Sequence, residues 1–295
     1  MNCNVCSKNY GFKNDYPNIK DGYSYITCLN CGAGILDPFP RNEVFQEKYN
    51  TEEYYEDLSA KAKNKFLDVF LNLRLYEMPW EFVENFEVSK NNALDVGCGN
   101  GEFLHELKKS GFKVFATDYS KIALERTRKK VKEPKENFYL GDFSKIDFNQ
   151  KFSLISFWHV LEHVSSPSSY IKKAYSLLEK DGVIVGEVPN YKSLVLSIFH
   201  KNYNWIMIPE HIIYYSPKSL EMILKNEGFT DIMIYNPNRA VINLTSSFGN
   251  ILKSFSLSKN LERIVYYSSM IFSIPLMIIF SLFNKGEVIR FYAKK

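Results

Sequence analysis

Three glycines at alternate positions follow an acid in the first half of the chain and form a candidate seat for a cofactor. The segment ALDVGCGNG occupies residues 93–101 and contains Asp95, Gly97, Gly99 and Gly101. Glycines let the main chain approach a ligand closely, and a helix N-terminus offers N–H groups that lack a partner inside the helix. Apolar residues precede this loop and a helix-like stretch follows it, so the pattern predicts a strand, a tight turn and a helix around a nucleotide-like ligand.

Two further acids follow the next predicted strands. The stretch 113–117 ends in Asp118, and the stretch 138–140 is followed by Gly141 and Asp142. Strands that alternate with helices indicate a mostly parallel sheet, whose ligands bind outside the carboxyl ends of the strands. An acid after the second strand is placed to bind ribose hydroxyls, and Asp142 is placed to meet an adenine amino group.

The spacing of the loop separates two classes of nucleotide-binding protein. A dinucleotide dehydrogenase has Gly-x-Gly-x-x-Gly, which seats a pyrophosphate. This loop is Gly-x-Gly-x-Gly, and Asp95 would repel a pyrophosphate but suits a cationic amino-acid moiety. With Asp118, the GD pair at 141–142 and FWHVLEHV at 157–164, the chain resembles the class I S-adenosylmethionine-dependent methyltransferases.

The resemblance covers roughly residues 90–236 and the last strand. It implies a Rossmann-like α/β fold with a seven-stranded sheet and S-adenosylmethionine as cofactor. Ser153 departs from the pattern, because relatives often carry Asp there, at a position that is more often structural. The cofactor-binding residues that the resemblance implies are Asp95, Gly97, Gly99, Gly101, Asp118, Tyr119, Asp142 and Phe143.

Four of the five cysteines lie in two Cys-x-x-Cys pairs near the start of the chain, Cys3 with Cys6 and Cys28 with Cys31. Two such knuckles place four thiolates around a tetrahedral zinc ion. We expect a zinc ribbon on a hairpin that includes residues 23–27. Two disulfides or a redox pair are the alternatives, and four thiolate ligands leave no open position for catalysis.

Histidines after the fourth predicted strand of the sheet are the candidate catalytic residues. A helix that begins at His159 would place His159, Glu162 and His163 on one face, and His211 is a further candidate. One hypothesis makes His159 or His163 a general base. A second makes the group a metal site, as in small-RNA 2′-O-methyltransferases, whose Glu-x-x-Glu-His motif it resembles except at His159. A third makes the group structural.

The acceptor is suggested by the segment after the fifth strand of the sheet. The pattern PN…W…EHI…YS…SL…L…GF resembles methyltransferases of bacterial polysaccharide and glycolipid assembly, and Tyr203 and Trp205 could stack on a sugar face. We expect methyl transfer to a hydroxyl of a sugar or lipid-linked glycan. The alternatives are O-methylation of a quinone or phenolic lipid, and a non-catalytic membrane-associated binding protein on a degenerate methyltransferase fold.

Residues 264–284 carry no charge and are long enough to span a bilayer. If the last strand joins the sheet antiparallel to residues 231–235, both ends of this insertion are pinned to one domain and a single crossing is excluded. Pro275 then favours a hairpin in the membrane interface. A lid or dimer contact, and a transmembrane anchor, are the alternatives.

The composition bounds the setting of this chain of 295 residues. Its net charge of +4 is mild and its basic residues are interleaved with acids, so we expect no nucleic-acid partner. No signal peptide is visible, so we expect a cytoplasmic protein, peripheral on the inner face of the membrane. The predicted regions are a zinc ribbon at 1–40, a helical linker or lid at 41–89, the methyltransferase domain at 90–236, a membrane-associating insertion at 237–285 and the final strand at 286–295.

Overall fold

The computed structural model describes residues 2–40, 51–53, 55, 78–237, 247–251, 261, 265, 268–269, 275–276, 279–280, 282–283 and 285–295. The strands in this part of the chain are β1 (Phe12–Lys20), β2 (Tyr23–Cys28), β3 (Gly34–Asp37), β4 (Asn92–Val96), β5 (Lys113–Asp118), β6 (Phe138–Leu140), β7 (Phe152–Trp158), β8 (Leu178–Pro189), β9 (Ile213–Tyr214), β10 (Thr230–Tyr235) and β11 (Val288–Lys294). The helices are α1 (Pro79–Glu84), α2 (Glu102–Lys109), α3 (Lys121–Val131), α4 (Pro167–Leu177), α5 (Leu194–Phe199) and α6 (Pro217–Asn226).

The larger sheet has seven strands in the order β10-β11-β8-β7-β4-β5-β6. Strands β4, β5, β6, β7 and β8 pair in parallel, and β11 pairs antiparallel with both β8 and β10. This arrangement confirms the Rossmann-like seven-stranded fold and the antiparallel insertion of the last strand.

The central strands are apolar because helices cover both faces of the sheet. Along β4, Ala93 packs with Val114 and Leu104 on one side, while Leu94 packs with Ile155 on the other. After the carboxyl end of β4, the glycine loop turns the chain back, and the first covering helix, α2, begins at Glu102.

A second sheet joins the N-terminal segment to the larger domain. Its order is β1-β2-β3-β9, and all its pairings are antiparallel. Strand β2 covers the predicted hairpin residues 23–27, while β9 belongs to the segment after β8. We refer to β1, β2 and β3 together as the N-terminal hairpin. It therefore shares a hydrogen-bonded sheet with residues that precede α6. The predicted boundaries between regions stay predictions.

The predicted helix at His159 is wrong. His159 has a left-handed φ of 57°, and only a short 3₁₀ turn, Leu161–His163, follows it. The main-chain N–H of His159 donates to the Glu187 carbonyl 2.9 Å away, so the chain stays beside β8 for one residue more than a helix would allow.

Two segments outside the two sheets adjoin the larger domain. The predicted helical linker or lid at 41–89 lies largely outside the described residues, which include α1 from it. Helix α6 begins after Ser216, whose hydroxyl accepts from the Ser219 N–H and caps the helix.

The ends of the apolar insertion are fixed to the larger domain. The Asn236 side chain donates to the Val288 carbonyl, and the Leu194 N–H donates to the Lys285 carbonyl 3.1 Å away. Most of residues 238–284 lie outside the described part. Within the described residues, no helix combines the length and apolar character needed to cross a bilayer.

Candidate active site

The glycine loop leaves an open side above the carboxyl end of β4. Gly99 has a φ of 52°, and a Cβ placed on it would meet no described atom within 4 Å. Gly97 has a φ of 71°, and a Cβ there would lie 2.6 Å from Val160 Cγ2. Any side chain at Gly97 would clash, whereas the space at Gly99 is open to a ligand.

Asp118 joins the end of β5 to this loop. Its Oδ2 accepts from the Gly99 N–H at 3.1 Å and its Oδ1 accepts from the Ser120 N–H at 2.8 Å. Burial raises the pKa of Asp118, and these N–H groups oppose the rise. The side chain thus stands beside the open face of Gly99, where a ribose hydroxyl would meet it.

Asp95 lies deeper at the end of β4. It is buried, and the Ser156 hydroxyl donates to its Oδ1 at 2.6 Å. Burial and the nearby charge of Asp118 outweigh that hydrogen bond and raise the pKa of Asp95 to about 7. A cationic ligand group would favour the ionised carboxylate and so would bind more tightly above this pH.

Asp142 follows β6 and is held as a carboxylate. It accepts from the Ser144 N–H at 2.9 Å, from the Ser144 hydroxyl at 2.7 Å and from the Tyr170 hydroxyl at 2.9 Å. Burial opposes ionisation, but these donors outweigh it and lower the pKa of Asp142. The Tyr119 hydroxyl lies 3.2 Å from that of Tyr170. The Phe143 side chain is buried among core aromatic rings, and its role at the cofactor stays a prediction.

His159 bridges two buried carboxylates. Its Nε2 lies 2.9 Å from Oε1 of Glu187, and its Nδ1 lies 3.1 Å from Oε1 of Glu162. Burial disfavours the imidazolium, but the two carboxylates outweigh it and raise the pKa of His159 to about 9. At neutral pH both ring nitrogens carry protons, so His159 has no lone pair with which to accept one.

Glu162 also belongs to a second group of residues. One ligand atom each from Glu162, His163 and His211 lies within 4.8 Å of the others. We refer to these three residues as the acceptor cluster. Glu162 Oε2 is buried and has no hydrogen-bond partner among the described residues.

The tautomers of the two cluster histidines follow from their neighbours. His163 Nδ1 lies 2.8 Å from the Glu210 carbonyl, which can only accept, so Nδ1 donates. His211 Nδ1 lies 3.2 Å from the Tyr214 hydroxyl, which itself donates to the Trp205 carbonyl. In the neutral form each imidazole therefore has its lone pair on Nε2, as a base or a metal ligand requires.

The four N-terminal cysteines meet in one buried cluster, which we refer to as the cysteine cluster. Sulfur atoms lie 3.7 Å apart between Cys3 and Cys31 and 3.8 Å apart between Cys6 and Cys28. A tetrahedral zinc ion with Zn–S bonds of about 2.3 Å spaces its sulfurs about 3.8 Å apart. The geometry fits a closed zinc site, and all five cysteines, Cys98 included, are free thiols here.

Comparison with known proteins identifies the fold and its chemistry. A family model described as a methyltransferase domain matches residues 70–233, more than half of the chain. The chain belongs to this methyltransferase family. The match supports methyl transfer that depends on S-adenosylmethionine, and the glycine loop with Asp95, Asp118 and Asp142 is the candidate seat for that cofactor.

The methyltransferase is similar to two curated ubiquinone biosynthesis O-methyltransferases. The one from Actinobacillus pleuropneumoniae is 32% identical over 128 residues, which cover 40% of this chain and 55% of that protein. The one from Pelagibacter ubique is 25% identical over 189 residues, which cover 60% of this chain and 78% of that protein. The chain thus spans only about half of the length of the first of them.

Solved structures show the same fold. A SAM-dependent methyltransferase from Archaeoglobus fulgidus superposes with a TM-score of 0.54 at 21% identity and covers 82% of this chain and 100% of its own.

Several residues that support the methyltransferase site were not predicted. Thr127 donates to the Gly99 carbonyl at 3.0 Å, Ser156 holds Asp95 and Tyr170 holds Asp142. Glu187 accepts from the Arg290 Nε at 2.7 Å, and both side chains are fully buried. A cation between apolar residues in the strand VIRFYAK was the available signal for Arg290.

The structure divides the predicted catalytic residues. His163 and His211 come together with Glu162, while His159 is engaged with two carboxylates. Of the two aromatic residues proposed to face a sugar, Trp205 is half-buried, with its ring 5.0 Å from that of His159. Tyr203 is buried in the core, so stacking by Tyr203 is excluded.

Proposed function

We propose that this methyltransferase transfers the methyl group of S-adenosylmethionine to a hydroxyl of a lipid-borne acceptor. The observation that carries the proposal is the position of the acceptor cluster. Glu162 and His163 follow β7, which lies next to β4 in the sheet, so they stand at the same sheet edge as the glycine loop. Residues suited to accept a proton therefore adjoin the cofactor seat.

The cofactor supplies an electrophilic methyl group on a sulfonium, and the residues of the chain hold the cofactor in place. In the proposed binding mode, Asp118 holds the ribose and Asp142 the adenine. Asp95 faces the cationic amino-acid part, and the open face of Gly99 admits the cofactor close to the main chain. Methyl transfer is an in-line displacement, so much of the rate comes from holding both reactants in line.

The acceptor cluster activates the hydroxyl. In our proposal Nε2 of His163 accepts the hydroxyl proton, with its ring fixed by the bond from Nδ1 to the Glu210 carbonyl. His159 holds Glu162 through Oε1 and so positions the cluster. Of the two histidines predicted as the base, His159 and His163, this assignment selects His163.

A divalent cation in the acceptor cluster is the second candidate mechanism. Two imidazoles and one carboxylate form the donor set of many catalytic metal sites, and each Nδ1–H has the outer partner that such sites use. Weak chelation followed by added Mg²⁺, Mn²⁺ or Zn²⁺ separates the two mechanisms. A base requires no added ion, whereas a cation site makes activity depend on one.

The lipid-borne nature of the acceptor is supported by an exposed apolar face. Leu276, Ile279, Leu282 and Phe283 recur at helical spacing, and Leu282 and Phe283 are 75% and 72% exposed, while Phe280 packs on the core. Exposed large apolar side chains in a cluster mark membrane or protein contact sites. We assign this face to the surface of a bilayer.

The apolar insertion also connects to the acceptor side of the enzyme. Ser247 accepts from the Asn204 N–H at 3.0 Å, and Asn204 precedes Trp205, which lies beside His159. An acceptor held in the bilayer surface would thus meet the half-buried Trp205 on its way to the acceptor cluster.

The sugar hydroxyl of a lipid-linked glycan is our first acceptor, and a phenolic or quinone lipid is the second. The names of the curated relatives favour the second. The experiment is transfer of a deuterated methyl group from labelled S-adenosylmethionine to glycolipid and quinone fractions, read by mass spectrometry. Label in a sugar ring supports the first acceptor and label in a phenol supports the second. No label in either fraction refutes the proposal.

Association with lipid is tested by sedimentation with vesicles. Leu282→Glu and Phe283→Glu place charges on the exposed face and should abolish sedimentation. Met233→Glu, at a residue 46% exposed on the edge strand β10, is the matched control and should sediment like the parent protein. Equal sedimentation of all variants would refute the assignment.

The cysteine cluster is proposed to hold one structural zinc ion. Four buried thiol groups at tetrahedral spacing support this assignment. All four positions around the ion are filled by protein, so the ion does not take part in methyl transfer.

A further inference from the structure

We propose that the N-terminal hairpin and its cysteine cluster form a structural part of the acceptor site, which positions His211 at the acceptor cluster. The inference rests on the proposed function only in taking that cluster as the place where the acceptor is activated. The hairpin would then form a rigid side of the active site. Loss of its metal would displace the acceptor half of the site, which is the acceptor cluster. It would leave the cofactor half, which is the glycine loop with Asp95, Asp118 and Asp142, unchanged.

The first contact is made by Tyr25 on β2. Its side chain is fully buried, and its hydroxyl donates to the main-chain carbonyl of His211 at 2.6 Å. The Tyr25 ring also packs edge-on against Tyr214, with centroids 5.1 Å apart. Tyr214 is the residue whose hydroxyl accepts from Nδ1 of His211. One side chain of the hairpin thus fixes both the main chain of His211 and the partner of its imidazole.

The second contact is the strand pairing itself. The Leu36 N–H donates to the Ile212 carbonyl at 3.0 Å, and Ile35 and Gly34 pair with Ile213 and Tyr214. On its other side the same segment is tied to the acceptor cluster, because the Ile212 N–H donates to the Glu162 carbonyl at 2.9 Å. The segment with His211 is therefore held between the hairpin and the turn that carries Glu162 and His163.

The third contact connects the cysteine cluster to the end of this segment. The carbonyl of Cys31 accepts from the Ser216 hydroxyl at 3.0 Å, and the carbonyl of Asn30 accepts from Lys218 Nζ at 2.6 Å. Ser216 also caps α6. The knuckle loop that would bind the metal therefore anchors the residues that follow His211.

The cofactor half makes no comparable contact with the hairpin among the described residues. Asp95, Asp118 and Asp142 are held by Ser156, by Gly99 and Ser120, and by Ser144 and Tyr170. All of these partners belong to the larger domain. Loss of the hairpin geometry should therefore change the surroundings of His211 and lower kcat while cofactor affinity stays the same.

The experiment uses the full chain with its histidines labelled at Cε1 and read by NMR. The chain has five histidines, and His105 on α2 serves as the internal control in the cofactor half. Tyr25→Phe removes one hydrogen bond without removing the ring. Tyr10→Phe is the matched control, because Tyr10 is 59% exposed in the same segment. Cys31→Ser removes the metal.

The expected result is a shift of the His211 and His163 signals in Tyr25→Phe and Cys31→Ser, with His105 unmoved and Tyr10→Phe like the parent protein. Affinity for S-adenosylmethionine should stay within about twofold, while kcat of Tyr25→Phe falls about tenfold, as loss of one buried hydrogen bond predicts. An unmoved His211 signal in Tyr25→Phe would overturn the inference, and so would a parallel loss of cofactor affinity. If no acceptor is methylated while His211 still responds, the proposed function fails, and the part of the inference that stands is the positioning of His211 by the hairpin.

Discussion

Nε2 of His159 lies 2.9 Å from Oε1 of Glu187 and forms an ion pair with it, and Glu187 accepts through its other oxygen from the buried Arg290. The pair links β8 to the turn after β7, and Arg290 extends the chain of charges to β11. His159 in turn holds Glu162, so the acceptor cluster is tied to the last strand of the sheet. His159 and Arg290 each neutralise a carboxylate whose burial would otherwise destabilise the folded state.

We predict that the His159 imidazole keeps its positive charge up to a pH well above that at which an ordinary histidine loses it. Because Glu162 and Glu187 raise its pKa to about 9, its Cε1 signal should titrate near pH 9 instead of near 6.5. The folded state then holds this proton more tightly than the unfolded state. The stability it contributes is therefore complete below about pH 6.5 and is lost as the pH rises through about 9.

The matching variant is His159→Gln. It should lower the free energy of unfolding by roughly 1–3 kcal/mol at pH 7, because two buried carboxylates lose a charged donor. It should also flatten the decline of the melting temperature between about pH 6.5 and 9. A titration midpoint near 6.5 in the parent protein would contradict the bridged geometry.

We predict that binding of S-adenosylmethionine weakens below neutral pH. Burial raises the pKa of Asp95 to about 7, and only its ionised form attracts the cationic part of the cofactor. Calorimetry between about pH 5.5 and 7.5 should show affinity rising with pH, with a slope of up to about one decade per pH unit. Asp95→Asn should remove most of this slope, and a pH-independent affinity in the parent protein would contradict the assignment.

We predict that Asp118→Ala loses cofactor affinity by roughly 10- to 100-fold, since the ribose hydroxyls lose a charged acceptor. Asp118→Asn should lie between this variant and the parent protein, because its amide oxygen still accepts one hydrogen bond. Asp181→Ala is the control, since Asp181 lies far from this edge and pairs with Lys294. Parent-like affinity in Asp118→Ala would remove Asp118 from the site.

We predict about one zinc ion per chain, held by the cysteine cluster. Elemental analysis of Cys3→Ser should show loss of the metal and a lower melting temperature. Cys98→Ala should retain the zinc, because Cys98 lies in the glycine loop, away from that cluster. A parent protein free of zinc after purification without chelators would refute the prediction.

The fold was predictable because its strands are apolar and its glycine loop has one local solution. The loop at 97–101 and the capped helix α6 are set by short-range patterns, whereas the antiparallel last strand was expected from the resemblance to a known family. The pairing of β3 with β9 joins residues almost 180 positions apart, and no local pattern predicts it.

The sequence predicted which residues form the active site better than it predicted the hydrogen bonds and ion pairs between them. His163 and His211 came together as proposed, since both follow strands that end at one edge. The helix expected at His159 is absent because tertiary contacts with Glu187 on β8, through both its carbonyl and its carboxylate, outweigh helical periodicity there. A periodic pattern carries no information about a partner on another strand.

The central claim is transfer of a methyl group to an acceptor oxygen at the acceptor cluster. The most direct measurement is mass spectrometry of a lipid extract after incubation with deuterated S-adenosylmethionine and the parent protein, His163→Ala or Asp118→Ala. The account predicts a deuterated O-methyl product with the parent protein, and its loss in both variants, with cofactor binding kept only in His163→Ala. Label on nitrogen or carbon, or undiminished product from His163→Ala, would contradict it.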